Sequence, residues 1–306
     1  MTLKSSILLT GGSGLLAVNW FYSKNNEFTV YLGLNERIIN PNGSHVVIID
    51  FSSEKNLTKQ LEEIRPSVVV HTAGLTSVEK CEKNPELAYF INVELSIMVS
   101  NATKALNIPM VHISTDHLFE GDNQNLSESE PVNGINVYGK TKALAEKYVA
   151  EINPDSLIIR SNFYGWGPSY RKSFSDQIIK SLRNKQVINL FEDVYYTPIL
   201  AENLIQTVHS LLVRGAKGTY NVVSDDRISK YDFGIMIAEE FLLDKSLIHR
   251  ATLKHQTNLV KRPLDMSLSN QKVRELLGRN LGSVKQHIAQ LHLQEHEAIT
   301  KEIQLL

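Results

Sequence analysis

The sequence predicts an α/β protein built on a doubly wound parallel sheet, followed by a smaller lobe. Three observations carry this expectation. Short apolar runs alternate with amphipathic stretches through the first half of the chain, the pattern of βαβ units. A glycine-rich turn, Thr10-Gly11-Gly12-Ser13-Gly14, separates the first apolar run from the first helical stretch. After Phe163 the strict alternation gives way to helical and loop patterns.

Taken in order, strands are expected at 6–10, 28–32, 45–49, 68–71, 110–114 and 156–160. Strands covered on both faces read as continuous apolar runs rather than alternating ones. Helices are expected between them at 15–23, 57–64, 85–106 and 138–152. Right-handed crossovers then wind the chain on both sides of the sheet. Residues 1–163 are assigned to this first domain, completed by part of 187–225, and residues 164–306 mainly to the second lobe. Within that lobe 165–173 reads as a loop, and helical patterns fall at 174–184, 201–214, 230–242 and 270–277. The stretch 290–306 reads as a polar helix or tail.

Composition narrows the function classes. A chain of 306 residues suits one large domain with a smaller lobe. With 42% hydrophobic and 21% charged residues it can bury a core. Lys and Arg number 32 against 33 Asp and Glu, so no global charge draws it to nucleic acid or an anionic membrane. Lys4 and the apolar Ile7, Leu8 and Leu9 imitate the start of a secretion signal, but the glycine turn interrupts the run. No run reaches the roughly 18 apolar residues of a membrane span, and a cytoplasmic location is expected. The single cysteine, Cys81, excludes an internal disulfide and reads as a part-buried helix residue. The ten histidines show no H-E-x-x-H spacing, so no metal site is expected.

The glycine turn is the first functional signal. Gly11 permits a tight turn, Gly14 lets the backbone approach a pyrophosphate, and Ala17 is small enough for helix and sheet to pack. The free N–H groups of the helix start would meet the phosphates. The pattern is that of a Rossmann dinucleotide site, with Leu15 beside it. The second strand ends without the acid that commonly binds a ribose diol, and Arg37 lies close by. An arginine pairs well with a 2′-phosphate, so NADPH is the expected cofactor, with NADH the alternative. Asp50 stands where it could meet the adenine amine or simply cap the turn before Ser52. Phe51, Ala73, Gly74 and Ser114 belong to the expected cofactor-binding set, and so do Tyr138 and Lys142, the lysine holding the nicotinamide ribose.

Chemistry points to Tyr138-Gly139-Lys140-Thr141-Lys142. Tyr138 and Lys142, four apart, share a helix face. The lysine ammonium and an oxidised nicotinamide would lower the phenol from its usual value of about 10 and let it exchange a proton with a carbinol oxygen. Thr115 ends the fifth strand, where ligands of a doubly wound sheet lie, and would hydrogen-bond the same oxygen. His117 reads more simply as a satisfied histidine than as a relay.

Together, Gly11-x-x-Gly14-x-x-Ala17, Ser114-Thr115-Asp116, Phe119-x-Gly121, the Tyr138 to Lys142 block, Thr197-Pro198 and Arg262-Pro263 resemble the extended short-chain dehydrogenases. The branch they resemble is the dTDP-4-dehydrorhamnose reductase family. The resemblance implies hydride transfer from NAD(P)H to the C4 ketone of a nucleotide-linked 6-deoxysugar. Tyr138 is then the acid, Lys142 its modulator and Thr115 the carbonyl partner; Thr76, Asp116, His117, Phe163 and Arg262 would meet the substrate. His117 stands where the family usually has tyrosine, and Phe163 where it often has tryptophan. The fold also hosts nucleotide-sugar epimerases and a non-catalytic NADP-binding regulatory subunit, which remain alternatives. A homodimer through the helices after Pro85 and Tyr138 is compatible with the family.

Overall fold

A computed structural model describes residues 5–256 and 258–306; Lys4, with the rest of 1–4, and Thr257 lie outside the described residues. Seven strands form the central sheet: β1 (Ser6–Thr10), β2 (Thr29–Leu34), β3 (His45–Ile48), β4 (Val68–His71), β5 (Met110–Ile113), β6 (Leu157–Arg160) and β7 (Gly218–Asn221). Their order is β7-β6-β5-β4-β1-β2-β3, and every neighbouring pair is parallel. The chain reverses its direction of winding between β1 and β4, which opens a crevice beyond their carboxyl ends. β4, β5 and β6 are buried at every residue, as continuous apolar runs require. β7 was not expected as a strand: Gly218-Thr219-Tyr220-Asn221 carries no apolar run, and its place is decided by pairing with β6.

Helix α1 (Leu15–Lys24) buries Leu15, Leu16, Ala17, Val18, Trp20, Phe21 and Tyr22. It is apolar nearly all round because it packs on the sheet and against the helix Ala201–Val213. Helix α2 (Glu54–Ile64) starts at Ser53, whose hydroxyl accepts from the Asn56 N–H, and buries Leu57 and Leu61.

The helix expected over 85–106 is broken. An α turn, Pro85–Tyr89, passes through a π-helical turn, Phe90–Glu94, into α3 (Leu95–Ala105). The π turn carries an extra residue and Asn92 is fully buried within it. The Asn92 side chain accepts from the Leu75 N–H at 2.8 Å and donates to Thr141 Oγ1 at 3.0 Å. Thr141 lies on α4 (Val137–Ile152), so this turn ties the loop after β4 to the helix carrying Tyr138.

The second lobe has its own core around Trp166, Ile178, Ile179, Leu182, Phe233, Ile237, Ile288 and Leu291. Two-stranded ribbons brace it, among them Phe163–Tyr164 with Ile199–Leu200. The stretch 290–306 is largely helical, in Val284–Gln294 and Ala298–Leu305. Ile303 returns to the core that also holds α1. No helix among the described residues is long and apolar enough to cross a membrane.

Candidate active site

A cavity of about 640 Å³ opens beyond the carboxyl ends of β1, β4, β5 and β6, a size suited to a small organic ligand. One wall is the glycine turn. Gly11 has φ +69°, and a Cβ there would stand 2.7 Å from Ala73 Cα, so the turn tolerates no side chain. Gly14 caps α1 without a side chain; the first-turn amides therefore face the cavity uncapped, as an anion requires. Leu15, Ala73 and Gly74 line the same wall. Ser114 lines the cavity too, and its buried hydroxyl has no partner among the described residues. These features fit a dinucleotide.

The opposite wall holds Thr115, Tyr138 and Lys142. Asn136 starts α4, its side-chain oxygen accepting from the Gly139 N–H at 2.8 Å. A Cβ at Gly139 would meet His117 O at 2.3 Å. Only glycine lets the segment after β5 lie this close to α4, and that contact brings Thr115 beside Tyr138. Lys142 reaches under both, donating to Ile113 O at 2.8 Å and lying 3.4 Å from His112 Nε2.

The electrostatics differ from expectation in one respect. Burial pushes the Tyr138 phenol above its ordinary value; its hydrogen bond with Thr115 opposes this, Asp116 and Cys81 reinforce it, and Arg171 opposes it weakly. The phenol therefore keeps its proton. The Lys142 ammonium is directed at the Ile113 carbonyl. Burial holds Lys142 down at about 8, against the pull of Glu146.

Two buried histidines lie behind the lysine. His71 and His112 pair across β4 and β5 with rings stacked at 5.5 Å. Burial, then the Lys142 charge, takes His71 down to about 3 and His112 well below its usual value; both stay neutral.

On the side facing the second lobe, Asp116 accepts from Asn162 Nδ2 at 2.6 Å. His117 has its ring edge-on to Tyr138 at 5.5 Å. Burial lowers its pKa most, and Asp116 opposes that. Thr76 and Phe163 also line the cavity, Thr76 accepting from Arg171 at 2.7 Å. Arg37 lies at the rim with its guanidinium over the Tyr170 ring, 4.1 Å from the centroid.

Three expected residues stand apart from the cavity lining. The Asp50 carboxylate is taken by Ser52 N at 2.8 Å and Asn56 Nδ2 at 2.9 Å, the local turn that stood beside the adenine contact as an alternative. Phe51 packs with Leu57 and Leu61 under the sheet. Arg262 is drawn into an ion pair with Glu79. Conversely, Lys80, Tyr170, Arg171 and Lys172 line the cavity without being singled out in the sequence. Three of them come from the loop 165–173, whose composition carries no periodic signal.

Cys81 is buried, donates to Leu75 O, and is pushed up to about 11 by burial and by Glu82, which makes it a poor nucleophile. Far from the cavity, His292, Glu295 and His296 bring possible ligand atoms within 4.8 Å of one another. Two hydrogen bonds from Arg183, however, already hold the Glu295 carboxylate.

A family model described as the RmlD substrate binding domain matches residues 5–296. The chain belongs to the RmlD family. Among family relatives, the probable low-salt glycan biosynthesis reductase Agl14 of Haloferax volcanii is 30% identical over 248 residues, 79% of this chain and 82% of its own. A dTDP-4-dehydrorhamnose reductase from Aggregatibacter actinomycetemcomitans is 26% identical over 262 residues, 79% of this chain and 88% of its own. A solved dTDP-4-dehydrorhamnose reductase from Bacillus anthracis, in complex with NADP, superposes with a TM-score of 0.85 at 21% identity, covering 95% of this chain and all of that one. The RmlD-type architecture thus extends over nearly the whole chain, the seven-stranded parallel sheet included.

Proposed function

We propose that the protein reduces the C4 ketone of a nucleotide-linked 6-deoxysugar at the expense of NADPH. The observation that carries this reading is the meeting of Thr115, Tyr138 and Lys142 on one wall of a cavity whose other wall is the glycine turn. Relatives named as dTDP-4-dehydrorhamnose reductases, one of them solved with NADP, support the substrate class and the cofactor.

The residues divide the work as follows. Gly11, Gly14, Leu15, Ala73, Gly74 and Ser114 hold the dinucleotide, and Arg37 takes the 2′-phosphate that separates NADPH from NADH. When bound, NADPH supplies the hydride. Thr115 and Tyr138 donate hydrogen bonds to the ketone oxygen, and Tyr138 gives up its proton as that oxygen becomes an alkoxide. Lys142 steadies the resulting phenolate with its positive charge and orients the nicotinamide ribose. Thr76, Asp116, His117 and Phe163 line the sugar's side, with Arg171 and Lys172 supplying charge for its diphosphate. The first domain carries the cofactor and the second lobe mainly the substrate. A homodimer would cover Leu87, Tyr89 and Phe90, which are exposed after Pro85.

The test is NADPH oxidation, followed optically, with a panel of nucleotide-linked 4-keto sugars. Steady consumption with one of them is the expected result. Interconversion of sugars without net consumption would make the protein an epimerase. Cofactor binding with no turnover across the panel would make it a regulatory subunit.

A further inference from the structure

Resting on the sugar-nucleotide reading above, we infer that Lys230 recognises the sugar itself, its ammonium taking a hydrogen-bond-accepting oxygen of the ring or its substituents beside the reacting carbon. Lys230 is the first residue of the helix Lys230–Glu240, whose cap, Ser229, accepts from the Asp232 N–H. A cation at that end of a helix opposes the helix dipole, so its position does not serve helix stability. Its Nζ stands 4.1 Å from the centroid of Tyr196 and 4.7 Å from that of Phe174. Among the described residues, no hydrogen bond or ion pair to Lys230 Nζ accompanies these ring contacts. Burial accordingly depresses it to about 8, with Asp116 opposing.

Asp116 is near enough to act on Lys230, Tyr196 and Tyr138 alike. Its own oxygens are engaged by Thr115 and Asn162. Beside it, the buried Tyr196 hydroxyl and the Nδ1 of His117 have no partner among the described residues, and neither does the Tyr164 hydroxyl next to Tyr196. Each such atom costs about 1–3 kcal/mol when left unpaired in the interior. Polar atoms clustered this way around one cavity residue are the complement of a polar ligand. Asp116 and His117 directly follow Thr115 and line the cavity, as do Phe163 and Ser173, the chain neighbours of Tyr164 and Phe174; Lys230, Tyr164 and Tyr196 stand behind this lining, on the ketone's side of the cavity rather than along the cofactor.

The experiment compares two probes, dTDP-glucose and dTDP, titrated calorimetrically into the NADP-loaded wild type and Lys230→Met. The wild type should bind dTDP-glucose more tightly than dTDP. Lys230→Met should lose about tenfold for dTDP-glucose, the worth of one charged hydrogen bond, while dTDP affinity stays unchanged and the Tm does not fall. Tyr196→Phe should raise the Tm, since it removes a buried hydroxyl that has no partner to lose. The inference is overturned if the wild type shows no preference between the probes or binds neither. It is equally overturned if Lys230→Met binds both as the wild type does, loses both equally, or only loses stability. NADPH oxidation with a keto sugar tests the catalytic reading separately, so the two can fail independently.

Discussion

In the proposed mechanism Tyr138 meets the ketone as a neutral phenol, and its burial favours that state. Replacing it with phenylalanine removes the proton donor and leaves the glycine turn untouched. Turnover of Tyr138→Phe should fall about 10²–10⁴-fold with the cofactor Kd unchanged, as read by steady-state kinetics and cofactor fluorescence titration. Lys142 sets a pH limit. Its ammonium loses the proton at about 8 in the unliganded fold instead of the ordinary 10.5, so kcat/KM should hold below that value and decline as the pH rises through it. The same depression means that the charged lysine opposes folding below about 8, and that this penalty fades between about 8 and 10.5. At the rim, Arg37→Ala should weaken NADPH binding more than NADH binding; equal losses would remove the 2′-phosphate assignment. Tyr138, Lys142 and Thr115 were legible in the sequence because a four-residue spacing and a strand end are local signals. Lys230, Arg171 and His112 were not, because each reaches its partners only through tertiary packing.

Elements deliver these side chains through a few close approaches. α4 can lie against the segment after β5 only because residue 139 has no Cβ. Gly139→Ala should therefore displace Thr115 from Tyr138 and lower kcat well beyond any change in cofactor affinity, seen in the same assays. Behind the site, Arg160 at the end of β6 grips Glu146 of α4 in a buried pair, with bonds of 2.8–3.1 Å. Removing one partner strands the other charge in the interior, so Arg160→Met should destabilise the fold by about 3–5 kcal/mol in urea titrations. The first six strands were readable because their runs are continuously apolar, as buried parallel strands are, although β3 at the sheet edge is only partly covered. β7 was not, since its four residues carry little apolar character. The π turn at Phe90–Glu94 was not, since a one-residue insertion leaves the helical pattern of its flanks intact. Asn92, a polar residue inside that pattern, was the one visible sign of it.

Among the described residues the two largest hydrophobic cores are the one around α1 and the one around Phe233. The core around α1 also takes in Leu204, Ile205 and Val208 of Ala201–Val213 and Ile303 near the chain end, so residues from both halves of the sequence support the sheet. The smaller core around Phe233 carries Tyr164, Tyr196 and the helix of Lys230. A change of rhythm at Phe163 is what the expected boundary rests on, whereas the return of later helices to the first core was not legible, because amphipathic stretches do not name their partners. Cofactor binding to the folded state alone should raise the Tm with NADPH concentration by mass action. The decisive measurement is mass spectrometry of the sugar product formed from a nucleotide-linked 4-keto sugar and NADPH carrying deuterium at the transferable position. One deuterium should appear at C4 of the sugar, in step with NADPH consumed, and its rate of appearance should fall with Tyr138→Phe as turnover does. A product without the label, or label transfer undiminished in that variant, would contradict a reductase built on the Thr115, Tyr138 and Lys142 wall.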